Sequence, residues 1–190
     1  MTIYGIVVEG GYDETVLTEI IKKCFSSEIE IIARKCGGKD KLLTKFPAYL
    51  ESFRFGKQGS HVDKAIVIRD AHGKNPEELK EKMGSKIANR NYLFDVKFII
   101  IIHELEAWLL ADEEAISRVT QSRSEKPVAR VKENLESISH PKEKLEEMLS
   151  EAKIYYTPEV AREIAKESDL DKIESRCPMF REFRQAIMDC

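Results

Sequence analysis

The chain has 190 residues, of which 42% are hydrophobic and 34% are charged, and its formal net charge is −3. This length suits one well-buried core with a small appended subdomain. The negative net charge excludes nucleic-acid binding by overall charge, but a local basic patch could still bind nucleic acid. The uninterrupted apolar run at residues 98–102 is too short to cross a bilayer. Because the N-terminus has no signal-peptide pattern, we expect a cytoplasmic protein outside the membrane.

The first 102 residues alternate between strand and helix patterns. Runs rich in β-branched residues predict four strands, at residues 3–8, 28–34, 64–69 and 95–102. Apolar residues at helical spacing predict helices at residues 13–25 and 41–53, and Asn75-Pro76 opens a third helix. Pro47 is expected to end or kink the second helix. Gly37-Gly38 indicates a turn, and residues 55–63 indicate a loop.

The strand pattern stops after Trp108. Asp112 is placed to cap a helix, residues 120–134 are polar and basic, and residues 141–188 predict three or four short helices. Prolines near the expected helix starts are Pro141, Pro158 and Pro178. The prediction is an α/β fold with about four mostly parallel strands flanked by helices. We assign this α/β domain to residues 1–112 and a helical C-terminal extension packed on it to residues 113–190.

The four cysteines are scattered and form no Cys-x-x-Cys pair. They are Cys24, Cys36, Cys177 and Cys190. This spacing argues against a structural zinc site and against a disulfide framework, so we predict reduced, non-catalytic thiols.

Three of the predicted strands end in acidic residues. Glu9 follows the first strand, Asp70 follows the third, and Glu104 and Glu106 follow the fourth. The carboxyl ends of parallel strands meet at one edge of a sheet, where α/β folds bind their ligands. Clustered carboxylates select hard cations, so the sequence predicts a Mg²⁺ or Mn²⁺ site held by these four residues.

Each of these acids also has a structural interpretation. Glu9 is alternatively an exposed strand-end residue and Asp70 a turn residue, while Glu104 and Glu106 are alternatively exposed carboxylates of a first helical turn. An extended backbone directs Glu104 and Glu106 to the same face, whereas a helix that begins at Glu104 makes them diverge.

Three further residues near these strand ends have open roles. Asp13 is predicted to cap the first helix, and Glu14 turns either toward Glu9 or toward solvent. His72 is a cation ligand, a proton donor or acceptor, or a loop residue. The candidate catalytic residues are Glu9, Glu14, Asp70 and His72.

These residues resemble the Toprim domain, the metal-binding module of topoisomerases, primases and overcoming-lysogenization-type nucleases. That pattern has a glutamate after its first strand and an Asp-x-Asp pair after a later one. Glu9-Gly10 matches the first part and Asp70-Ala71-His72 the second, with His72 in place of the second aspartate. The resemblance implies a Toprim/Rossmann-like sheet with a divalent-metal site, and His72 suits Mn²⁺ better than Mg²⁺.

More specifically, the chain resembles the Toprim-like family called domain of unknown function 4276. Three segments spread over nearly the whole chain carry this resemblance: Val8-Glu9-Gly10 with Asp13-Glu14, Glu104-Leu-Glu106-Ala-Trp108-Leu-Leu-Ala-Asp112, and Arg176-Cys-Pro178-Met-Phe180-Arg181-Glu-Phe183. This family implies a fold and a metal site, and it has no function that transfers to the chain.

A glycine turn flanked by lysines follows the second predicted strand. Lys35, Lys39 and Lys41 surround Gly37-Gly38 and form either a phosphate clamp or a solvated turn. Two tail segments are weaker candidates for contact with nucleic acid or with the metal site. The first, which is alternatively an exposed charged linker, contains Arg123, Lys126 and Arg130; the second contains Lys153, Tyr155 and Tyr156.

The sequence supports three hypotheses of function. The first is a Toprim-like, Mg²⁺- or Mn²⁺-dependent phosphoryl-transfer enzyme, a nuclease acting on DNA or RNA. The second is a non-catalytic module that binds a nucleotide or nucleic acid through metal beside an ATPase partner, because this chain has no Walker A motif of its own. The third is a structural role in which the acids are only loop and cap residues.

Overall fold

The computed structural model describes residues 1–25, 28–55, 62–102, 104–121, 128 and 130–188. Its centre is a sheet of four strands in the order β2-β1-β3-β4, and every neighbouring pair is parallel. The strands are β1 (Thr2–Val8), β2 (Ile29–Lys35), β3 (Lys64–Asp70) and β4 (Asp95–Ile101). The predicted α/β, Rossmann-like fold class is therefore confirmed, and each strand matches its predicted bounds to within one residue.

Helices cover both faces of the sheet. α2 (Lys39–Ser52) and α3 (Pro76–Ile87) pack on one face, and α1 (Gly11–Cys24) packs on the other together with the C-terminal helices. α3 opens at Asn75-Pro76 as predicted. Asn75 also caps it, since its Oδ1 accepts a hydrogen bond from the backbone N–H of Glu77 at 2.9 Å. This layering leaves the carboxyl ends of the strands at one edge of the molecule.

Pro47 lies inside α2 and does not end it. The helix begins at Lys39 and continues to Ser52, so it is longer at its N-terminus than the predicted residues 41–53. Leu42, Phe46 and Leu50 are fully buried, and this apolar stripe stabilises the helix on both sides of the proline.

The C-terminal part of the described chain is helical. Its helices are α4 (Glu106–Leu109), α5 (Glu113–Thr120), α6 (Pro141–Glu151), α7 (Pro158–Glu167), α8 (Leu170–Arg176) and α9 (Pro178–Met188). The last four agree with the predicted three or four helices, and three of them begin at a proline. Trp108 packs against Phe180 and Phe183, with ring centroids 5.0 and 4.9 Å away, in the core cluster that also contains residues of β1 and β3 on this face.

Two charged side chains connect the helices of the tail. Asp112 is fully buried and caps α5 as predicted, and it also accepts hydrogen bonds from Asp169 N at 2.8 Å and Lys172 Nζ at 3.2 Å. Burial raises the pKa of Asp112, but these hydrogen bonds outweigh burial and leave the pKa below its usual value. Arg176 donates to Ala111 O at 2.8 Å. Both residues belong to segments that carry the family resemblance, and their observed contacts are structural.

Three cysteines lie in the described chain. Cys24, Cys36 and Cys177 are free and buried, and burial raises the pKa of the first two thiols to about 11 and that of the third to about 12. Cys190 and residues 56–61 of the predicted loop lie outside the described residues.

None of the described helices has the length and apolar character needed to span a bilayer.

Candidate functional site

A small cavity lies at the carboxyl edge of the sheet, where the adjacent strands β1 and β3 end. Its volume is about 210 Å³. The chain leaves β1 toward one side of the sheet and β3 toward the other, which makes this the topological switch point at which α/β folds bind ligands. The lining residues are Glu9, Gly10, Tyr12, Asp13, Gly38, Asp70, Glu104, Glu106 and Lys142. The structure thus brings together all four predicted metal ligands and adds a fifth carboxylate, that of Asp13.

Glu9 lies between two basic side chains of different exposure. Its Oε1 is 3.7 Å from Nε of Arg69, which is only 2% exposed, and its Oε2 is 3.4 Å from Nε2 of His72. Among the described residues, Glu9 Oε1 and Arg69 Nε and Nη1 have no hydrogen-bond partner although they are buried. The backbone oxygen of Glu9 accepts from Gly37 N and Gly38 N at 2.9 and 2.8 Å, and both glycines have positive φ angles that favour glycine.

Asp70 ends β3 and is surrounded by like charges. Its carboxylate forms no hydrogen bond or ion pair with the described residues. Burial is the main cause that raises the pKa of Asp70 well above its usual value, and the charges of the other four cavity carboxylates raise it further. A carboxyl group with this pKa is stabilised either by a proton or by an added cation.

Asp13 has two functions in the local structure. Its Oδ2 accepts a hydrogen bond from Gly10 N at 2.8 Å. Gly10 is the N-cap of α1, so Asp13 supports the helix start from the third helical position and is not the cap residue that the sequence predicted. It also lines the cavity, where burial raises its pKa to about 6 despite that hydrogen bond. The capping interpretation of the sequence concealed this second position, although Asp13 belongs to the same strand-to-helix turn as Glu9.

Glu104 and Glu106 both reach the cavity from the segment that follows β4. The backbone is not extended here, because α4 begins at Glu106, yet both carboxylates line the same space. Burial raises the pKa of Glu106 to about 7, although the hydroxyl of Tyr156 donates to its Oε1 at 3.1 Å. Glu104 Oε2 accepts from the backbone N–H of Lys142 at 3.2 Å.

The tail contributes Lys142 to the cavity lining, and its Tyr156 contacts two lining residues, Glu106 and Tyr12. Tyr156 packs on Tyr12 with ring centroids 4.9 Å apart, and the Tyr12 hydroxyl donates to Tyr156 O at 3.2 Å. Lys142 Nζ lies 4.7 Å from the centroid of the Tyr12 ring. The sequence suggested Tyr156 for this region, whereas Tyr155 beside it is 88% exposed. No local pattern in the sequence indicates Lys142.

The other predicted site residues that the structure describes do not line the cavity. Glu14 pairs with Lys35 at 3.2 Å, and Lys39 and Lys41 are exposed in the first turn of α2. Gly38 is the only part of the predicted lysine and glycine clamp among the described residues that line the cavity. In the basic tail segment, Arg123 and Lys126 lie outside the described residues, and Arg130 is 3.9 Å from Glu113.

The donor set fits a hard divalent cation in its chemistry. Within the described ranges, no three carboxylate, imidazole or thiol groups lie close enough together to form a ready-made metal cage. Mg²⁺ nevertheless needs only one or two protein carboxylates, because it fills its remaining positions with water and phosphate oxygens. The buried Glu9 Oε1 has no hydrogen-bond partner in the described structure, and the partnerless Asp70 carboxylate faces the same group of acids. Both observations agree with a cation in this cavity.

Comparison with known proteins gives one family. A family model described as "Domain of unknown function (DUF4276)" matches residues 8–188. No curated protein and no solved structure matches the chain. The chain belongs to the DUF4276 family.

Proposed function

We propose that this member of the DUF4276 family is a Toprim-like, divalent-metal-dependent phosphoryl-transfer enzyme that cleaves DNA or RNA. The observation that carries the proposal is the convergence of five carboxylates, from three strand ends and the start of α1, on one cavity at the switch point of the sheet. The order of Glu9 after β1 and Asp70 after β3 agrees with the Toprim pattern.

The electrostatics of the cavity support the binding of a cation. Asp13, Asp70 and Glu106 all have raised pKa values, and burial is the largest cause for each. Buried carboxylates that share one cavity are stabilised by protons or by a metal ion, which offset the cost of burying their charge. In the proposal, the ligands of Mg²⁺ or Mn²⁺ come from Glu9, Asp70, Glu104 and Glu106, with Asp13 beside them.

When bound, the divalent cation would supply charge stabilisation for a phosphoryl group and its leaving oxygen. The chain's own residues orient and hold the site. Arg69 and His72 fix the carboxylate of Glu9 from its two sides, and Tyr156 fixes Glu106. His72 remains the candidate acid or base, while Glu14 is engaged with Lys35.

The test measures metal-dependent stability and nucleic-acid cleavage in the same variant. Asp70→Asn removes the charge that faces the other carboxylates, and Asp95→Asn, an exposed residue at the start of β4, is the matched control at the opposite edge of the sheet. We expect Mn²⁺ or Mg²⁺ to raise the unfolding temperature of the wild type and of Asp95→Asn, because an ion that binds only the native state stabilises it. The same two proteins should cleave labelled DNA or RNA in Mn²⁺ and not in EDTA.

For Asp70→Asn, both the metal-dependent stabilisation and the cleavage should be lost. Cleavage in EDTA, or equal activity in Asp70→Asn and Asp95→Asn, would contradict the proposal. An unfolding temperature that divalent ions leave unchanged, combined with no cleavage of either nucleic acid, would favour a structural role for the acids.

A second candidate function is favoured by the position of His72. A histidine bound to Glu9 occupies the place of the second aspartate of the Toprim pattern, and it reduces the number of carboxylates available to metal. In this alternative, the protein binds a nucleotide or nucleic acid through metal without cleaving it and acts beside an ATPase partner. Metal-dependent retention of labelled DNA or RNA with no product in Mn²⁺ would identify this function.

A further inference from the structure

We infer that Lys142, contributed by the C-terminal helices, binds a phosphate group of the substrate at the acidic cavity. The inference rests on the proposed function and adds to it the residue that recognises the anionic part of the substrate. It assigns that contact to α6 rather than to the lysines around Gly37 and Gly38.

The first support is position. Lys142 is the second residue of α6, and it is the one cationic side chain among the described residues that line the cavity. The lysines that the sequence suggested for this role point elsewhere. Lys35 is paired with Glu14, and Lys39 and Lys41 are exposed and do not line the cavity.

The second support is the state of the ammonium group. Lys142 shares the cavity with five carboxylates, yet it forms no ion pair with any described carboxylate. Its Nζ lies 4.7 Å from the centroid of the Tyr12 ring, a contact that holds the cation without using its N–H donors. Lys144, two residues later in the same helix, shows the ordinary alternative, because its Nζ is 2.9 Å from Glu147. The three donors of Lys142 therefore remain available to an incoming acceptor.

The third support is the way in which Lys142 is held. Its backbone N–H donates to Glu104 Oε2 at 3.2 Å, so the main chain is attached to the cavity wall. Tyr12, on which Nζ rests, is itself fixed by the hydrogen bond from its hydroxyl to Tyr156 O. Three separate parts of the chain thus position one ammonium group, which reduces the entropy lost when a ligand binds it.

A phosphate group is the ligand that needs a positive charge at this position. The ionised carboxylates of the cavity repel a nucleic-acid backbone, and a divalent cation would offset only part of that repulsion. A lysine acts as a point charge toward phosphate oxygens, and it does so here beside the carboxylates that would hold the metal.

A counter-charge role is the competing explanation. If Lys142 only offsets the carboxylates, then removing it leaves anion binding unchanged and strengthens metal binding. If it binds phosphate, then removing it weakens binding of DNA or RNA. It also reduces the slope of log affinity against log salt concentration by about one, the value for one phosphate contact.

The experiment compares Lys142→Met, Lys142→Arg and the control Lys144→Met with the wild type as full chains. Each protein is titrated with labelled single-stranded DNA and RNA that carry cleavage-resistant phosphorothioate linkages, in Mn²⁺ and at several salt concentrations. Mn²⁺ binding is measured by calorimetry without nucleic acid, and circular dichroism checks that each variant is folded. We expect about a tenfold weaker affinity for nucleic acid in Lys142→Met, wild-type behaviour in Lys144→Met, and near-wild-type affinity in Lys142→Arg.

Unchanged nucleic-acid affinity in Lys142→Met, or an equal loss in Lys144→Met, would overturn the inference. A wild type that binds Mn²⁺ but neither nucleic acid would also overturn it and would leave the metal site standing. A wild type that binds neither Mn²⁺ nor nucleic acid would overturn both this inference and the proposed function.

Discussion

Arg69 and Glu9 form a buried ion pair of imperfect geometry beside the cavity. Nε and Oε1 are 3.7 Å apart, and neither atom has a hydrogen-bond partner among the described residues. The exposed pair of Arg90 and Glu51 is shorter, at 3.1 Å, yet surface pairs contribute only about 0–1 kcal/mol because solvent screens them. Burial rather than distance decides which pair costs more stability when it is broken, because a buried carboxylate that loses its partner is left as an uncompensated charge.

We therefore predict that Arg69→Met lowers the free energy of unfolding by about 3 kcal/mol in EDTA at neutral pH. Arg90→Met should cost less than about 1 kcal/mol. Urea unfolding checks both values. If Glu9 is a metal ligand, then Mn²⁺ should recover part of the loss in Arg69→Met, since the ion would replace the missing positive charge. A loss that is equal for both variants, or that Mn²⁺ leaves unchanged, would argue against this account of Glu9.

At the scale of elements, β1 lies in the middle of the sheet and has a tight contact on one face. A Cβ atom on Gly5 would lie 2.7 Å from two ring atoms of Phe53, which is itself 1% exposed and has little room to move. We predict that Gly5→Ala destabilises the protein by about 1–3 kcal/mol, because overpacking shifts the ring or the strand. The measurement is the urea midpoint at constant m-value.

Gly84→Ala is the matched control for that change. A Cβ atom on Gly84 would meet nothing within 4 Å, and the residue lies inside α3. Alanine there should stabilise the protein by up to about 1 kcal/mol, through helix propensity and lower unfolded-state entropy. If both variants change the free energy of unfolding in the same direction, then the close approach of Phe53 does not explain why position 5 is glycine.

The elements were largely predictable from sequence because their signals are local. β-Branched runs mark the four strands, and Asn75 and Asp112 mark helix starts, so these features needed no tertiary information. Pro47 does not end α2, because the buried face of the helix outweighs one missing hydrogen bond.

The site was only partly predictable, because some of its contacts join residues that are far apart in the sequence. The strand-end acids follow from the rule for parallel sheets, and the sequence suggested Tyr156 only as one residue of a tail segment. Lys142, which reaches Glu104 from 38 residues away, was not predicted. Only the packing of the C-terminal helices on the sheet determines that approach, and no short pattern in the sequence encodes it.

At the scale of the whole molecule, the cavity concentrates negative charge in a protein whose net charge is only −3. Most other acids are exposed or paired, so the energetic cost of the arrangement is local. A natural protein that tolerates such repulsion usually does so where function requires it. The cost should therefore appear in the pH dependence of stability when divalent ions are removed.

We predict that stability in EDTA falls as the pH rises from about 5 to about 8. The pKa of Asp13 is raised to about 6 and that of Glu106 to about 7, and the pKa of Asp70 is also raised. In the unfolded chain these groups lose their protons near pH 4, whereas the folded protein retains them to higher pH. The native state thus binds more protons in this interval, and the free energy of unfolding decreases with pH, on the order of 2 kcal/mol each for Asp13 and Glu106.

Urea unfolding at several pH values measures this slope. Asp112, whose pKa is lowered, makes stability rise with pH instead, but only below about pH 4, so it does not mask the slope between pH 5 and pH 8. Asp70→Asn should reduce the slope and raise stability at pH 8 in EDTA, because it removes one of the repelling charges. Mn²⁺ should also flatten the slope in the wild type, since a cation would replace the protons. Stability that is constant or rises between pH 5 and pH 8 in EDTA would mean that burial and the neighbouring charges do not raise the pKa values of these carboxyl groups, and the electrostatic support for a metal site would be lost.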